Sequence, residues 1–266
     1  MKRLLYFTIF MMFFLTACRG SQAIATEAAL VPVNTPTAEP SATLAPTNTP
    51  TVEPTATPDA AATAEAQSTQ AAGDVLNELE ILLSDSEVPY KEGHLAWQQT
   101  ESQTIKLQGP SVNGASIQEI DPELTAGNFV FKSDVTWKST GWMYCGAVFR
   151  SEPNIKKGKQ YQFFFLRFSG LPVWYIDVYK NGTEYLGSIT KQQTAGVIDM
   201  TSGAVNQFVI VAENEMFTVY FNGVRQGRFF DYSKQRMEGQ FGFFAWQESG
   251  AGSCKYENSW VWSLDK

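Results

Sequence analysis

One stretch constrains the fold more than any other: Met216 to Asp231, MFTVYFNGVRQGRFFD. Two alternating runs flank Asn222-Gly223, the pair best suited to a tight hairpin, because both central residues of a type I′ turn need positive φ. Asn181-Gly182, between Val173–Tyr179 and Glu184–Ile189, repeats the signal. Period-two patterning runs from about His94 to the C-terminus. Phe129, Phe131, Val135 and Trp137 share one face of a strand, and Lys132, Asp134, Thr136 and Lys138 share the other. Tyr161 to Phe168 (YQFFFLRF) is apolar on both faces, as a central strand covered on both sides requires. Phe208–Ala212, Phe241–Trp246 and Tyr256–Leu264 continue the series. Many strands at short spacing, with Gly and Asn between them, predict an all-β antiparallel sandwich over 87–266 rather than βαβ units.

The chain ahead of this domain is of a different kind. A basic Met1-Lys2-Arg3 precedes an apolar run, Leu4 to Leu15. It has the length and flanking charge of a secretory signal and is too short for a comfortable membrane span. The run closes on Leu15-Thr16-Ala17-Cys18, which resembles the lipobox of bacterial lipoproteins. The resemblance implies a signal peptide over 1–17 and a lipidated Cys18 that becomes the mature N-terminus. Two acyl chains there suffice for stable anchoring to the bacterial cell membrane. An ordinary signal peptide that happens to hold a cysteine is the alternative. Within 18–58, seven of the twelve prolines fall at 32, 36, 40, 46, 50, 54 and 58, most of them four apart, among threonines. From Gln22 to Pro58 there is no aromatic residue to bury, so the tract predicts a disordered, extended stalk. Its threonines are compositionally suited to O-glycans. Over 59–85, Asp59 can cap an Ala-rich helix from Ala60. Gly73 is expected to interrupt it, and Asp74 to cap a second segment whose Val75, Leu76, Leu79, Leu82 and Leu83 recur at helical spacing. That stripe suits packing on the following domain; helix-mediated oligomerisation is the sharper alternative.

Within the domain, NFVFKSDVTW, CGAVFR, YQFFFLRF, VNQFVIVAENEMFTVYFNGVRQGRFFD, GQFGFFAW and a closing aromatic strand together resemble the concanavalin A-like jelly-roll superfamily. The nearest branches are the laminin G-like domains and the domain named for 3-keto-disaccharide hydrolysis. The similarity spans about Asn128 to Leu264. It implies a jelly-roll sandwich whose relatives include lectins, adhesive modules and glycan-cleaving enzymes.

Few residues can carry chemistry. His94 is the only histidine, and no G-x-S-x-G occurs, which argues against a Ser-His-Asp triad. Glu119-Ile120-Asp121-Pro122-Glu123 copies the E-I-D-x-E signature of jelly-roll glucanases. Pro122 sits badly in a central strand, however, and the motif precedes the first long strand, so a polar strand end followed by a turn is expected. Cys145 and Cys254 form an even pair in an exported domain and predict a disulfide; two buried free thiols are the alternative. Two cysteines and one distant histidine make no zinc set. Asp177, Asp199, Glu213 and Asp231 could ligate calcium, as laminin G-like relatives often do, yet no D-x-D-x-D-G loop is present, so no cofactor is expected.

The aromatics carry the functional expectation. The chain has 7 Trp, 19 Phe and 10 Tyr, concentrated after Tyr90, and most must fill the core. Arg167, Trp174, Tyr175, Asp177, Tyr179 and Trp246 are the candidate ligand-binding residues, with Gln247 and Glu248 beside them. Alternation puts Tyr175, Asp177 and Tyr179 on one face and Trp174, Ile176 and Val178 on the other. An aromatic face that carries carboxylates suits carbohydrate. The net charge is −7, of which residues 1–72 contribute −2 (three basic, five acidic) and the remainder −5. An acidic domain is unsuited to nucleic acid or anionic lipid. The expected function is non-catalytic binding of a glycan or another extracellular ligand at the bacterial surface. A saccharide-processing enzyme and a structural or adhesive module remain as alternatives.

Overall fold

The computed structural model describes residues 60–112 and 115–265. The signal peptide, Cys18 and the proline-rich stalk lie outside the described residues. The chain opens with helix α1 (Ala60–Leu82) and a single 3-10 turn at Tyr90–Glu92. Two antiparallel sheets follow. The first contains β1 (His94–Gln98), β2 (Gln103–Gln108), β4 (Phe129–Ser139), β10 (Val205–Glu213), β11 (Met216–Phe221), β12 (Val224–Phe230) and β14 (Ala251–Ser263). The second contains β3 (Ser116–Glu119), β5 (Met143–Ser151), β6 (Gln160–Phe168), β7 (Leu171–Lys180), β8 (Glu184–Ser188), β9 (Gln193–Thr194) and β13 (Gln240–Gln247). The first sheet runs β1-β14-β4-β10-β11-β12, with β2 also on β14. The second runs β3-β13-β5-β6-β7-β8, with β9 also on β7. The chain repeatedly crosses between the layers, at β2–β3, β3–β4, β4–β5, β9–β10, β12–β13 and β13–β14, which makes this a jelly-roll sandwich.

The opening hairpin is as its sequence predicts. Asn222 and Gly223 take φ 49° and 76°, and Phe221 pairs directly with Val224. At the second hairpin Asn181 and Gly182 also take positive φ, 55° and 68°, but Lys180 pairs with Glu184, so Thr183 enlarges the loop to three residues.

Alternation builds the core. Phe129, Phe131, Val135 and Trp137 of β4 face inward against Phe149, Phe163, Phe165, Phe241 and Phe243. The ring pairs there are mostly edge-on, for instance Phe129 on Phe241 at 4.7 Å, the arrangement the ring quadrupole favours. Cys145 and Cys254 are disulfide-bonded across the layers, with Cα atoms 5.7 Å apart.

Helix α1 is continuous through Gly73 rather than broken there. Gly73 has no heavy atom near the position a Cβ would take, so it fills no packing need. Its helical cost of about 1 kcal/mol relative to Ala is offset by docking. Val75, Leu79 and Leu83 are buried on the outer face of the first sheet, against Val130, Val209, Val211, Tyr220, Trp260 and Trp262. Polar contacts fix the angle: Trp260 Nε1 donates to Glu78 at 2.8 Å, and Glu78 pairs with the buried Lys132 at 3.2 Å. The helix is thus a lid on one sheet, and among the described residues no element covers the outer face of the other.

Candidate functional site

That open face holds a groove of about 480 Å³ along β13, β5, β6 and β7. Strand register explains its composition. Phe244, Gly146, Phe164 and Tyr175 lie in one row across the four strands, and the next row begins with Trp246 and Tyr144. Gly146 contributes no side chain in the middle of the first row. A Cβ there would sit 1.9 Å from the carbonyl oxygen of Phe163, so no other residue fits. The rings of Phe164 and Phe244 stack at 5.6 Å, and Phe164 and Tyr175 stack at 5.2 Å. Trp246 meets Tyr144 edge-on at 4.7 Å. The result is a continuous aromatic floor with tyrosine hydroxyls at its margins. Tyr144 donates to Glu248 at 3.0 Å and Tyr175 to Gln192 at 2.9 Å. At the open end, the exposed rings of Trp142 and Phe168 lie 5.6 Å apart.

The polar centre of the groove is the directly paired Gln162 and Asp177, both more than nine-tenths buried. Gln162 Nε2 and Asp177 Oδ1 have no hydrogen-bond partner among the described residues. Orphaned buried groups of this kind cost about 1–3 kcal/mol each and mark a place where stability has been traded. Burial pushes the Asp177 carboxyl above its ordinary range, against a smaller opposing effect of its hydrogen bond with Ser188. Burial and the Asp177 charge together push the Tyr179 phenol up to about 12. Burial, with Glu248 beside it, also pushes Tyr144 up. A carboxyl with a raised folded-state pKa holds more protons folded than unfolded. Its ionisation therefore weakens the fold as pH rises from the ordinary carboxylate range through the raised value. Asp177→Asn is expected to raise the unfolding temperature at pH 7 and to give no gain at pH 3, measured by thermal unfolding at both.

The structure brings Tyr175, Asp177, Tyr179 and Trp246 together in this groove. It does not bring Trp174 there. Trp174 lies on the opposite face of β7, fully buried between the sheets against Phe229 and Phe221. The alternation that puts Tyr175 in the groove puts Trp174 in the core, which removes it from the ligand-binding set. Arg167 also misses the groove. It sits at the end of β6 over the Trp137 ring and lines a separate open cleft with Gly170, Pro172 and Asp199. Tyr144, Gln162, Phe164 and Phe244 were not legible as groove residues. Strands β5, β6 and β13 are apolar on both faces, so period two separates their faces without saying which is the core.

The other acidic candidates are spent elsewhere. Glu119 ends edge strand β3, and Asp121 accepts from the Glu123 amide at 2.9 Å in the turn that follows. The E-I-D-x-E run is a strand end and a turn. Asp199 accepts from Thr201 N, and Asp231 accepts from Tyr161, Ser233 and Gln235. Glu213 lines a cleft with Arg225 and Arg228. Among the described residues no group of three or more His, Cys, Asp or Glu is placed to hold a metal ion. Among the described residues that line the groove, only Asp177 and Glu248 are carboxylates. Glu248 follows Gln247, which pairs with Met143; carried across β5 and β6, its row reaches β7 at Leu171. Asp177 is six residues further on, about 20 Å along the strands and three strand spacings across. Glycosidic acid–base pairs need roughly 5–9.5 Å, so these two do not form one.

No family model matches this chain, and no curated protein matches it. Among solved structures it is similar to the carbohydrate-binding module CBM66 from Bacillus subtilis, at 18% identity over 61% of this chain and 95% of that one, with a TM-score of 0.45. It is similar to a Bacillus licheniformis β-glucanase at 13% identity over 62% and 79%, TM-score 0.42. Sheep galectin-11 in complex with glycerol matches at 10% identity over 58% and 98%, TM-score 0.37.

Proposed function

We propose that this protein binds a saccharide chain in the groove of its second sheet, without cleaving it, from a lipid-anchored position on the outer side of the bacterial cell membrane. The observation that carries the reading is the aromatic floor Trp246–Tyr144–Phe164–Tyr175–Phe244 in an open groove edged by hydroxyls and carboxylates. Sugar rings have apolar C–H faces and polar rims. Aromatic faces take the first, and the Tyr144, Tyr175, Gln162 and Asp177 side chains suit the second. The wide separation of Asp177 and Glu248 supports binding rather than hydrolysis.

Titration of the full chain against a broad oligosaccharide panel tests the reading. Trp246→Ala and Tyr144→Ala are each expected to weaken binding about tenfold or more, roughly 1.4 kcal/mol, with unfolding temperature recorded to exclude collapse. Silence across the panel, or binding indifferent to both substitutions, would sink it. The anchor is tested separately. Cys18→Ala is expected to move the protein from the membrane fraction to the soluble fraction of cells, and continued membrane association would refute lipid attachment.

A further inference from the structure

The groove's charge is one-sided. Asp177 and Glu248 line it, and none of its described lining residues is Lys, Arg or His. Lys156 lines a different cleft, with Glu119 and Gln118. The two carboxylates are also not equivalent. Glu248 is exposed and already accepts from the Tyr144 hydroxyl at 3.0 Å. Asp177 is only 6% exposed, and its Oδ1 has no donor. The neighbouring Gln162 offers no remedy, since its own Nε2 is also unpartnered. The floor of the groove thus holds a desolvated carboxylate that is hydrogen-bonded to Ser188 but has one oxygen without a donor, and no Lys, Arg or His lines the groove among the described residues.

Resting on the saccharide-binding reading, we infer that the groove selects its ligand by charge: it takes sugars bearing a free amine, with the ammonium donating to Asp177, and rejects uronic acids. An ammonium supplies several donors and a full positive charge to that acceptor, and such charge-assisted bonds are roughly twice as strong as neutral ones. An N-acetylated or plain hydroxyl sugar satisfies the acceptor without the charge. A uronate carboxylate brings a third negative group into a groove with no counter-charge, and like-charge juxtaposition opposes binding and suppresses wrong partners.

The test uses the full chain and three β-1,4-linked oligomers of equal length, measured by calorimetry at pH 7: glucosamine, N-acetylglucosamine and glucuronic acid. The glucosamine oligomer is expected to bind at least tenfold more tightly than its N-acetylated counterpart, and the glucuronate to show no binding. Asp177→Asn is expected to abolish the tenfold preference while binding of the neutral oligomer persists. Because the whole domain is acidic, two controls localise the effect. Glu101→Gln, on an exposed turn of the other sheet, should leave the preference intact, and Trp246→Ala should weaken binding of both accepted oligomers by the same factor, about tenfold or more. Equal or tighter binding of glucuronate overturns the inference while leaving saccharide binding standing. So does a preference that survives Asp177→Asn. Binding of none of the three, together with silence across the wider panel, would fail the saccharide reading itself and this inference with it.

Discussion

Removing the Cys145–Cys254 bridge by a double alanine substitution is expected to destabilise the domain by about 3–5 kcal/mol, lowering its unfolding temperature by roughly 10 °C. The bond closes a loop with a sequence separation of 109 residues, so most of the penalty lies in the freed entropy of the unfolded chain. It also joins the layers. Cys145 is on β5 and Cys254 on β14, both fully buried. Two residues beyond Cys254, the Tyr256 hydroxyl accepts from the Gly146 amide at 3.1 Å and donates to the Phe244 carbonyl. Gly146 and Phe244 are groove residues, so the bridge and Tyr256 together pin the first sheet to the back of the groove floor. Thermal unfolding with and without reductant checks the size of the effect. A loss below about 1 kcal/mol would show that the bridge adds little to a sandwich already held by its core. Weaker ligand binding in the reduced protein is expected to accompany a large loss.

The second large effect is expected at Arg150, which is fully buried. Its guanidinium lies over the rings of Phe217 and Phe129, 5.1 and 6.0 Å from their centroids. It donates to the Gly127 carbonyl at 2.9 and 2.6 Å and to the Arg236 carbonyl at 3.3 Å. Burial lowers its pKa, partly countered by the negative ends of Tyr161, Asp265 and Asp231. Tyr161 donates to Asp231, whose carboxylate also takes the Ser233 and Gln235 amides. Burial would push Asp231 up, and these bonds hold it below its usual value. Arg150→Ala removes the cation from this anionic surrounding, strips two carbonyls of donors and opens a cavity between two phenylalanines. A loss of about 3–5 kcal/mol is expected. Arg150→Met separates the contributions, because it keeps the packing and loses only the charge and the hydrogen bonds. Denaturant unfolding of both variants is the measurement, and two near-neutral results would show that the cluster adds no net stability.

How much of this was legible beforehand depends on whether the signal was local. Turn chemistry at Asn222-Gly223 and Asn181-Gly182 is a property of a few residues, and alternation in β4 has a polar side to distinguish it. Hence the strand series, the hairpins and the antiparallel sandwich followed from the chain alone, as did the disulfide partners, because only one even pair exists in the domain. Alternation in β7 likewise grouped Tyr175, Asp177 and Tyr179 correctly and, followed strictly, already placed Trp174 on the other face. Helix α1 runs through Gly73, against the local expectation of a break, because a single-residue propensity of about 1 kcal/mol is outweighed by burial of Val75, Leu79 and Leu83, which depends on the distant first sheet.

What the amino-acid order determined by itself was therefore the long strands from Phe129 onward, the Asn-Gly turns and the two faces of each of those strands; the short strands β2, β3 and β9 were not among them. Only the tertiary structure decided which face of the second sheet stays open, because that depends on where α1 docks. It docks on Val130, Val209, Val211 and Tyr220 of the first sheet. The equivalent apolar residues of the second sheet, Phe164, Phe244 and Tyr144, are left lining a groove. Apolar side chains have no directional preference for one neighbour over another, so a strand that is hydrophobic on both faces cannot say which one meets another layer and which one waits for a ligand.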